Sequence, residues 1–279
     1  MATASARNAK STTKARPAAR PGSNSGASIT SLRIQLAALT RLLHKEGILT
    51  YSGHASVRIP GRDAFMIQSI NDSRAGLSPE GLVICDFDCK VLEGPAGYRP
   101  PLESFIHSEV LRARRDIDCV VHTHSELAAM FTMLQGIELS LMKSHAQRWA
   151  SGIPTHADPT HIKSSKQGKA LARTLGRHNG ALMRAHGGVL VAESLPALLV
   201  DAVHFEENAK AHYQAATVGK VKPLTKKELK LIGEVNNNRE QHCFKLWSHY
   251  VGMGFEDGTL PGEWNEEIWG SVDPKAEAT

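Results

Sequence analysis

The segment Val120-Val121-His122-Thr123-His124 is a β-branched run ending in two histidines one residue apart. β-Branched side chains favour strands, and alternate strand residues point to opposite faces. His122 and His124 are therefore predicted to share one face at a strand's end, near enough to hold a single ion. Such a strand requires a sheet behind it and further elements to cover that sheet. A His-x-His pair also occurs as surface or hydrogen-bonded core histidines, so its chemistry depends on what else reaches that strand end.

The rest of the chain supplies the covering elements. Leu32, Leu36, Leu39, Leu42 and Leu43 recur at a helical period between Thr30 and Glu46, and Gly47 stops that helix. Ser56 to Ile59 and Ala64 to Ile70 read as strands joined at Pro60-Gly61, and Leu82 to Asp86 with Val91-Leu92 as a second hairpin. A helix is expected from about Leu102 to Arg114 after Pro100-Pro101, a strand over Cys119–Thr123 and a helix over Ser125–Leu134. Ala181–Arg184 and Val189–Val191 read as strands around a Gly187-Gly188 turn. A long helix follows from Leu195 to Ala216, and the last helices lie between Thr225 and Tyr250. Short strand pairs with flanking helices predict one mixed α/β domain over residues 29–255. Residues 1–28 read as a disordered basic tail and residues 256–279, rich in Gly, Pro and acids, as a C-terminal tail.

Several function classes fall away. The formal charge of +5 sits in the first twenty residues, as Arg7, Lys10, Lys14, Arg16 and Arg20, ahead of the first acid, Glu46. The remaining body is neutral, which is not the footprint of a specific nucleic-acid reader. No stretch reaches the length and apolarity of a membrane-spanning helix, so no membrane partner is expected. With 41% hydrophobic residues the chain can bury a sizeable core. Cys85, Cys89, Cys119 and Cys243 are too few for a disulfide framework, and the expected compartment is cytoplasmic.

Two further pieces join the histidine pair. In Arg184-Ala185-His186-Gly187-Gly188 the histidine ends an apolar strand and the glycines let backbone pass close to whatever it touches. Glu103 stands at the start of the helix that precedes the His122 strand, with His107 four residues on sharing its face. Glu103 could be only a partner for the helix dipole. A helix packed back on the strand would instead carry it to the strand's end. Three imidazoles and a carboxylate are the equipment of a catalytic metal site with an open position.

At this point the sequence resembles the class II aldolase/adducin family. The likeness runs over roughly residues 30–220. It is carried by Gly53-His54-Ala55-Ser56-Val57-Arg58, Leu102-Glu103 with His107, the strand from Asp118 to His124, and Leu182-Met183-Arg184-Ala185-His186-Gly187. The resemblance implies a three-layer α/β/α fold with a central, largely antiparallel mixed sheet. It also implies a homotetramer with sites at subunit interfaces. His122, His124 and His186 are then the metal ligands and Glu103 the catalytic carboxylate. One divalent ion per subunit is implied, zinc first and manganese second, with no organic cofactor.

The departures bear on the reaction. Sugar-phosphate members of the family carry Gly-Asn-Val-Ser in the first loop, where this chain has Gly53-His54-Ala55-Ser56. They hold phosphate with a Thr-Gly pair and a Ser-Ser pair, where it has Ser73-Arg74-Ala75-Gly76 and Pro101-Leu102. Phosphate needs hydroxyl and backbone N–H donors, which Pro101 and the Leu102 side chain do not offer. The resemblance therefore implies the decarboxylase-like branch, a metal-dependent lyase of aromatic compound catabolism. Its small-molecule substrate would be an aromatic or heteroaromatic hydroxy-carboxylate of the dihydroxyphthalate or hydroxypyridine dicarboxylate type, with His54 and Ser56 as substrate-binding candidates. Arg58 could hold a second carboxylate or be a solvated strand residue. Lys143, His145, Arg148, His156 and His161 could line an anion pocket or a solvent-facing loop. The alternatives are an aldolase or epimerase acting on a sugar or sugar phosphate, and a non-catalytic adducin-like interaction module, which would have lost its metal ligands.

Overall fold

The computed structural model of the protein describes residues 27–236 and 238–269. Nearly all of the basic tail expected over residues 1–28 lies outside them, as do residues 270–279. The first helix, α1 (Ile29–Lys45), begins where the Ser28 hydroxyl accepts the Ser31 N–H at 3.0 Å, and its leucines face the core.

Eight strands form one sheet: β1 (His54–Arg58), β2 (Ala64–Gln68), β3 (Leu82–Asp86), β4 (Val91–Glu93), β5 (Cys119–Thr123), β6 (Thr155–His156), β7 (Gly180–Met183) and β8 (Gly187–Ala192). Their order is β4-β3-β2-β1-β5-β8-β7-β6, antiparallel throughout except for the β6–β7 pair. The helices are α2 (Ser104–Ala113), α3 (Glu126–Met130), α4 (Ser165–Leu175), α5 (Leu195–Val218), α6 (Lys226–Val235), α7 (Arg239–Glu256) and α8 (Asn265–Trp269).

Strand alternation sorts the sheet's side chains between two cores. Ala55, Val57, Met66, Val121 and Leu190 join α1, α5 and α7 on one face. Phe65, Ile67, Val120, Val189 and Val191 join α2 and α4 on the other. The sheet is thus buried on both faces, which gives the three-layer α/β/α arrangement with a largely antiparallel sheet. None of the helices among the described residues is long and apolar enough to cross a membrane.

Three expectations are corrected. The segment from residue 256 is not all tail: Leu260, Trp264 and Ile268 are buried, and Arg41 lies over the Trp264 ring. These apolar side chains gain more from covering α1 than the acidic residues between them lose. The turn around His186 is made by Ala185, with φ of 54°, while Gly187 and Gly188 belong to β8. The stretch from Met142 to His161, read as pocket lining or a solvent-facing loop, contains a 3-10 turn over Ser144–Trp149 and β6, and α4 follows it.

Candidate active site

The register of the sheet builds the site. Because Val121 faces the α1 and α5 layer, its neighbour His122 faces α2. On the adjoining strand Ala55 and Val57 likewise face α1, which turns His54 and Ser56 toward α2, and His54 stands opposite His122. Glu103 occupies the residue before the first turn of α2, and its side chain does not cap that helix. Its Oε1 accepts the Ile162 N–H at 2.9 Å, and its Oε2 lies 3.6 Å from His122 Nε2 and 3.5 Å from His186 Nε2. The Nε2 atoms of His122 and His124 face each other at 3.0 Å.

Hydrogen bonds fix what these rings present. His122 Nδ1 donates to the Gly188 carbonyl at 3.0 Å, so in the neutral ring Nε2 carries the lone pair. His186 has both ring nitrogens buried without a hydrogen-bond partner. Burial, then the neighbouring His122 and His186, pushes His124 down to about 4. Burial opposes ionisation of Glu103, but the Ile162 N–H and the close approach of the His122 and His186 rings outweigh it and hold the carboxyl well below its ordinary range.

Two glycines let the neighbouring strands close on this point. A Cβ on Gly53, where φ is +85°, would lie 2.9 Å from the His122 carbonyl oxygen. A Cβ on Gly187 would collide with the Thr123 carbonyl oxygen and stand 3.1 Å from His124 Cα. The strands on either side of β5 therefore approach it most closely where its histidines emerge.

His54 and His107 form a buried pair beneath these ligands. His107 Nε2 and His54 Nδ1 are 2.7 Å apart, and His107 Nδ1 is 2.7 Å from Ser56 Oγ. Burial, then His122, pushes His107 down to about 3, and burial with His107 also lowers His54 well below the ordinary histidine value. The unfolded chain then binds protons below pH 6.5 that the folded chain refuses until about pH 3. Metal-free protein is therefore expected to lose stability as pH falls through that window. Melting temperature measured from pH 7 to 4 checks this, and His107→Gln should flatten the decline. A flat profile for the native sequence would contradict it.

The model of the Class II Aldolase and Adducin N-terminal domain family matches residues 34–213. The chain belongs to that family. It is 25% identical over 247 residues to decarboxylase tropJ of Talaromyces stipitatus, covering 76% of this chain and 91% of that protein. It is 28% identical over 185 residues to the 3,4-dihydroxyphthalate decarboxylase of Rhodococcus jostii, covering 62% and 74%. Among solved structures, the L-fuculose 1-phosphate aldolase from Glaciozyma antarctica superposes with a TM-score of 0.72 at 18% identity, over 88% of this chain and 96% of that one.

In this class II aldolase fold the ligand atoms of Glu103, His122, His124 and His186 all lie within 4.8 Å of one another. Bonds of about 2.1 Å to a tetrahedral ion place donors about 3.4 Å apart. The separations of 3.0, 3.5 and 3.6 Å above, and the unpartnered nitrogens of His186, therefore fit a divalent cation.

Other residues separate from the site or join it. Arg58 is tied to Asp118 at 3.1 Å and to the carbonyls of Leu111, Arg114 and Ile117, so it braces β1. His156 is buried beside Thr174, and Arg148 pairs with Asp201. His161, by contrast, brings Nδ1 to 3.4 Å from Glu103 Oε1 while most of its side chain stays in solvent. Sequence reasoning placed it in a polar run but had no signal to single it out. Ser52 Oγ also reaches His124 Nε2 at 3.4 Å. Cys85 is pushed up to about 12 by burial and is inert as a nucleophile.

Proposed function

We propose that the protein is a metal-dependent carbon–carbon lyase that decarboxylates an aromatic or heteroaromatic hydroxy-carboxylate. The observation that carries this reading is the rim beside Glu103. The Pro101 carbonyl is occupied by the Ser104 hydroxyl at 2.7 Å, proline offers no N–H, and Leu102 turns an apolar side chain to solvent. That rim suits a ring better than a phosphate. Arg74, held by the carbonyls of Gly53 and Asp72 at 3.0 Å each, keeps a guanidinium beside His54, where a carboxylate would be welcome. The two decarboxylase relatives support the same reading.

In this proposal His122, His124 and His186 hold one divalent ion, zinc first and manganese second, which supplies a positive charge for substrate oxygens and for the electrons left by the broken bond. Glu103, held ionised, takes the proton of the ring hydroxyl. Carbon dioxide then leaves with its carbon–carbon bond electrons remaining on the ring, and Glu103 returns the proton to that ring carbon. His54, positioned by His107, which Ser56 holds in turn, and His161 at the mouth orient the carboxylates. The working form is proposed as a cytoplasmic homotetramer without an organic cofactor.

The test is carbon dioxide release from a panel of dihydroxyphthalates and hydroxypyridine dicarboxylates, with and without chelator. Chelator-sensitive release is expected. Aldolase and epimerase relatives make sugar phosphates the control panel. Turnover confined to a sugar phosphate by metal-loaded protein would replace this proposal with aldol cleavage or epimerisation.

A further inference from the structure

A second histidine cluster lies outside the site just described. His145 projects from the 3-10 turn over Ser144–Trp149, while His204 and Glu207 are three residues apart on α5 and so share a helix face. Their ligand atoms lie within 4.8 Å of one another. His145 Nε2 is 3.5 Å from Glu207 Oε2 yet buried without a hydrogen-bond partner. The His145 and His204 rings stack with centroids 4.0 Å apart and planes 4° apart, and His242 of α7 follows with its centroid 5.4 Å from His204.

We propose that His145, His204 and Glu207 form a second metal site, selective for a borderline transition-metal dication of the zinc type. Two imidazoles and one carboxylate are the donor chemistry of such ions, and oxygen-seeking magnesium or calcium would gain little from them.

The surroundings support it. His145 Nε2 is enclosed without a hydrogen-bond partner, so an ion there would satisfy a nitrogen that the fold leaves unpaired. The two rings stand parallel, so bringing both in-plane lone pairs to one ion requires the His145 ring to turn about its side-chain bonds. His145 Nε2 and Glu207 Oε2, 3.5 Å apart, already stand near the roughly 3.4 Å that donors keep around a tetrahedral ion. The Glu207 side chain, 44% exposed, is free to follow the ring as it turns. Lys143 Nζ, 3.4 Å from Glu207 Oε2, must swing aside, and its 44% exposed side chain is free to do so.

The cluster also borders a cavity of about 1110 Å3, lined in part by His145, His204, His242, Arg148 and Arg239. Water there can complete the coordination. Arg148 and Arg239 are already paired with Asp201 at 3.0 and 2.7 Å, so they do not oppose the ion as free charges. A bound ion would tie the 3-10 turn to α5, giving it a bracing role apart from the reaction.

The experiment counts zinc on tag-free, metal-stripped full-length protein by titration calorimetry, followed by elemental analysis after dialysis. Two zinc per subunit are expected. His145→Ala/His204→Ala should bind one, His122→Ala/His124→Ala should bind one, and the combined variant none. Glu207→Gln, an exposed and conservative change, guards against misfolding and should weaken the second site at least tenfold. Cobalt(II) gives an independent readout: its visible absorption should persist in His122→Ala/His124→Ala and vanish when His145 and His204 are also replaced. One zinc in the native sequence, unchanged by His145→Ala/His204→Ala, would overturn the proposal. One zinc lost with His145 and His204 but not with His122 and His124 would uphold it while removing the first site.

Discussion

Glu103→Gln, loaded with metal, is expected to turn over substrate at least about a hundredfold more slowly than the native enzyme while keeping most of its metal. The amide preserves the side chain's shape, and its oxygen can still accept the Ile162 N–H that holds Oε1 at 2.9 Å. What it loses is the negative charge 3.5–3.6 Å from His186 and His122, and the group that takes and returns a proton. His122→Ala should fail differently. It removes a fully buried ring that is fixed by the Gly188 carbonyl and faces His124, so metal and activity should be lost together. Metal content and turnover, measured on both variants, distinguish the two roles. If Glu103 were only a charge at the start of α2, its loss would lower stability by at most about 1 kcal/mol and leave rate alone. Near-normal turnover in metal-loaded Glu103→Gln would remove the glutamate from the mechanism.

The parts of this site that could be read from the sequence are those set by local periodicity. Alternation along β5 was enough to put His122 and His124 on one face, and a helix preceding that strand was enough to raise Glu103 as its companion. The pairing of His107 with His54 and Ser56 depends on β1 lying beside β5 with His54 opposite His122, which no local pattern encodes. His161 reaches Glu103 from a loop before α4, and α4 offers few large apolar residues, Leu171 and Leu175, among cations. β6, two residues long, is below the length at which alternation can be seen. The C-terminal segment did carry a signal: Leu260, Trp264 and Ile268 recur every fourth residue, a helical spacing obscured by the surrounding glycines and acids. At His186 the glycine pair predicts the turn. The turn is Ala185, and the glycines serve the close approach of β8 to β5.

That close approach makes Gly187→Ala the substitution expected to damage the fold most for its size. One methyl group is added at a residue whose φ any amino acid could adopt, so the penalty is steric and not conformational. The new Cβ would collide with the Thr123 carbonyl oxygen, and it would also stand 3.0 Å from the carbonyl carbon and 3.1 Å from His124 Cα. All three are backbone atoms of the strand end that presents the histidines, so no side chain can swing away to make room. The start of β8 must move off β5, stretching the pairing of Thr123 with Gly188 and the bond from His122 Nδ1 to the Gly188 carbonyl. Overpacking of this kind destabilises by about 1–3 kcal/mol, and rigid backbone on the receiving side favours the upper end. Because His186 immediately precedes Gly187, the same shift should pull one metal ligand away. Gly252→Ala in α7 is the control: its Cβ meets nothing within 4 Å. There the added methyl should stabilise by about 0.5–1 kcal/mol through helix propensity. Denaturant midpoints and zinc content of the two variants decide the matter. A Gly187→Ala protein with native stability and a full complement of zinc would show that β8 can retreat without disturbing the site.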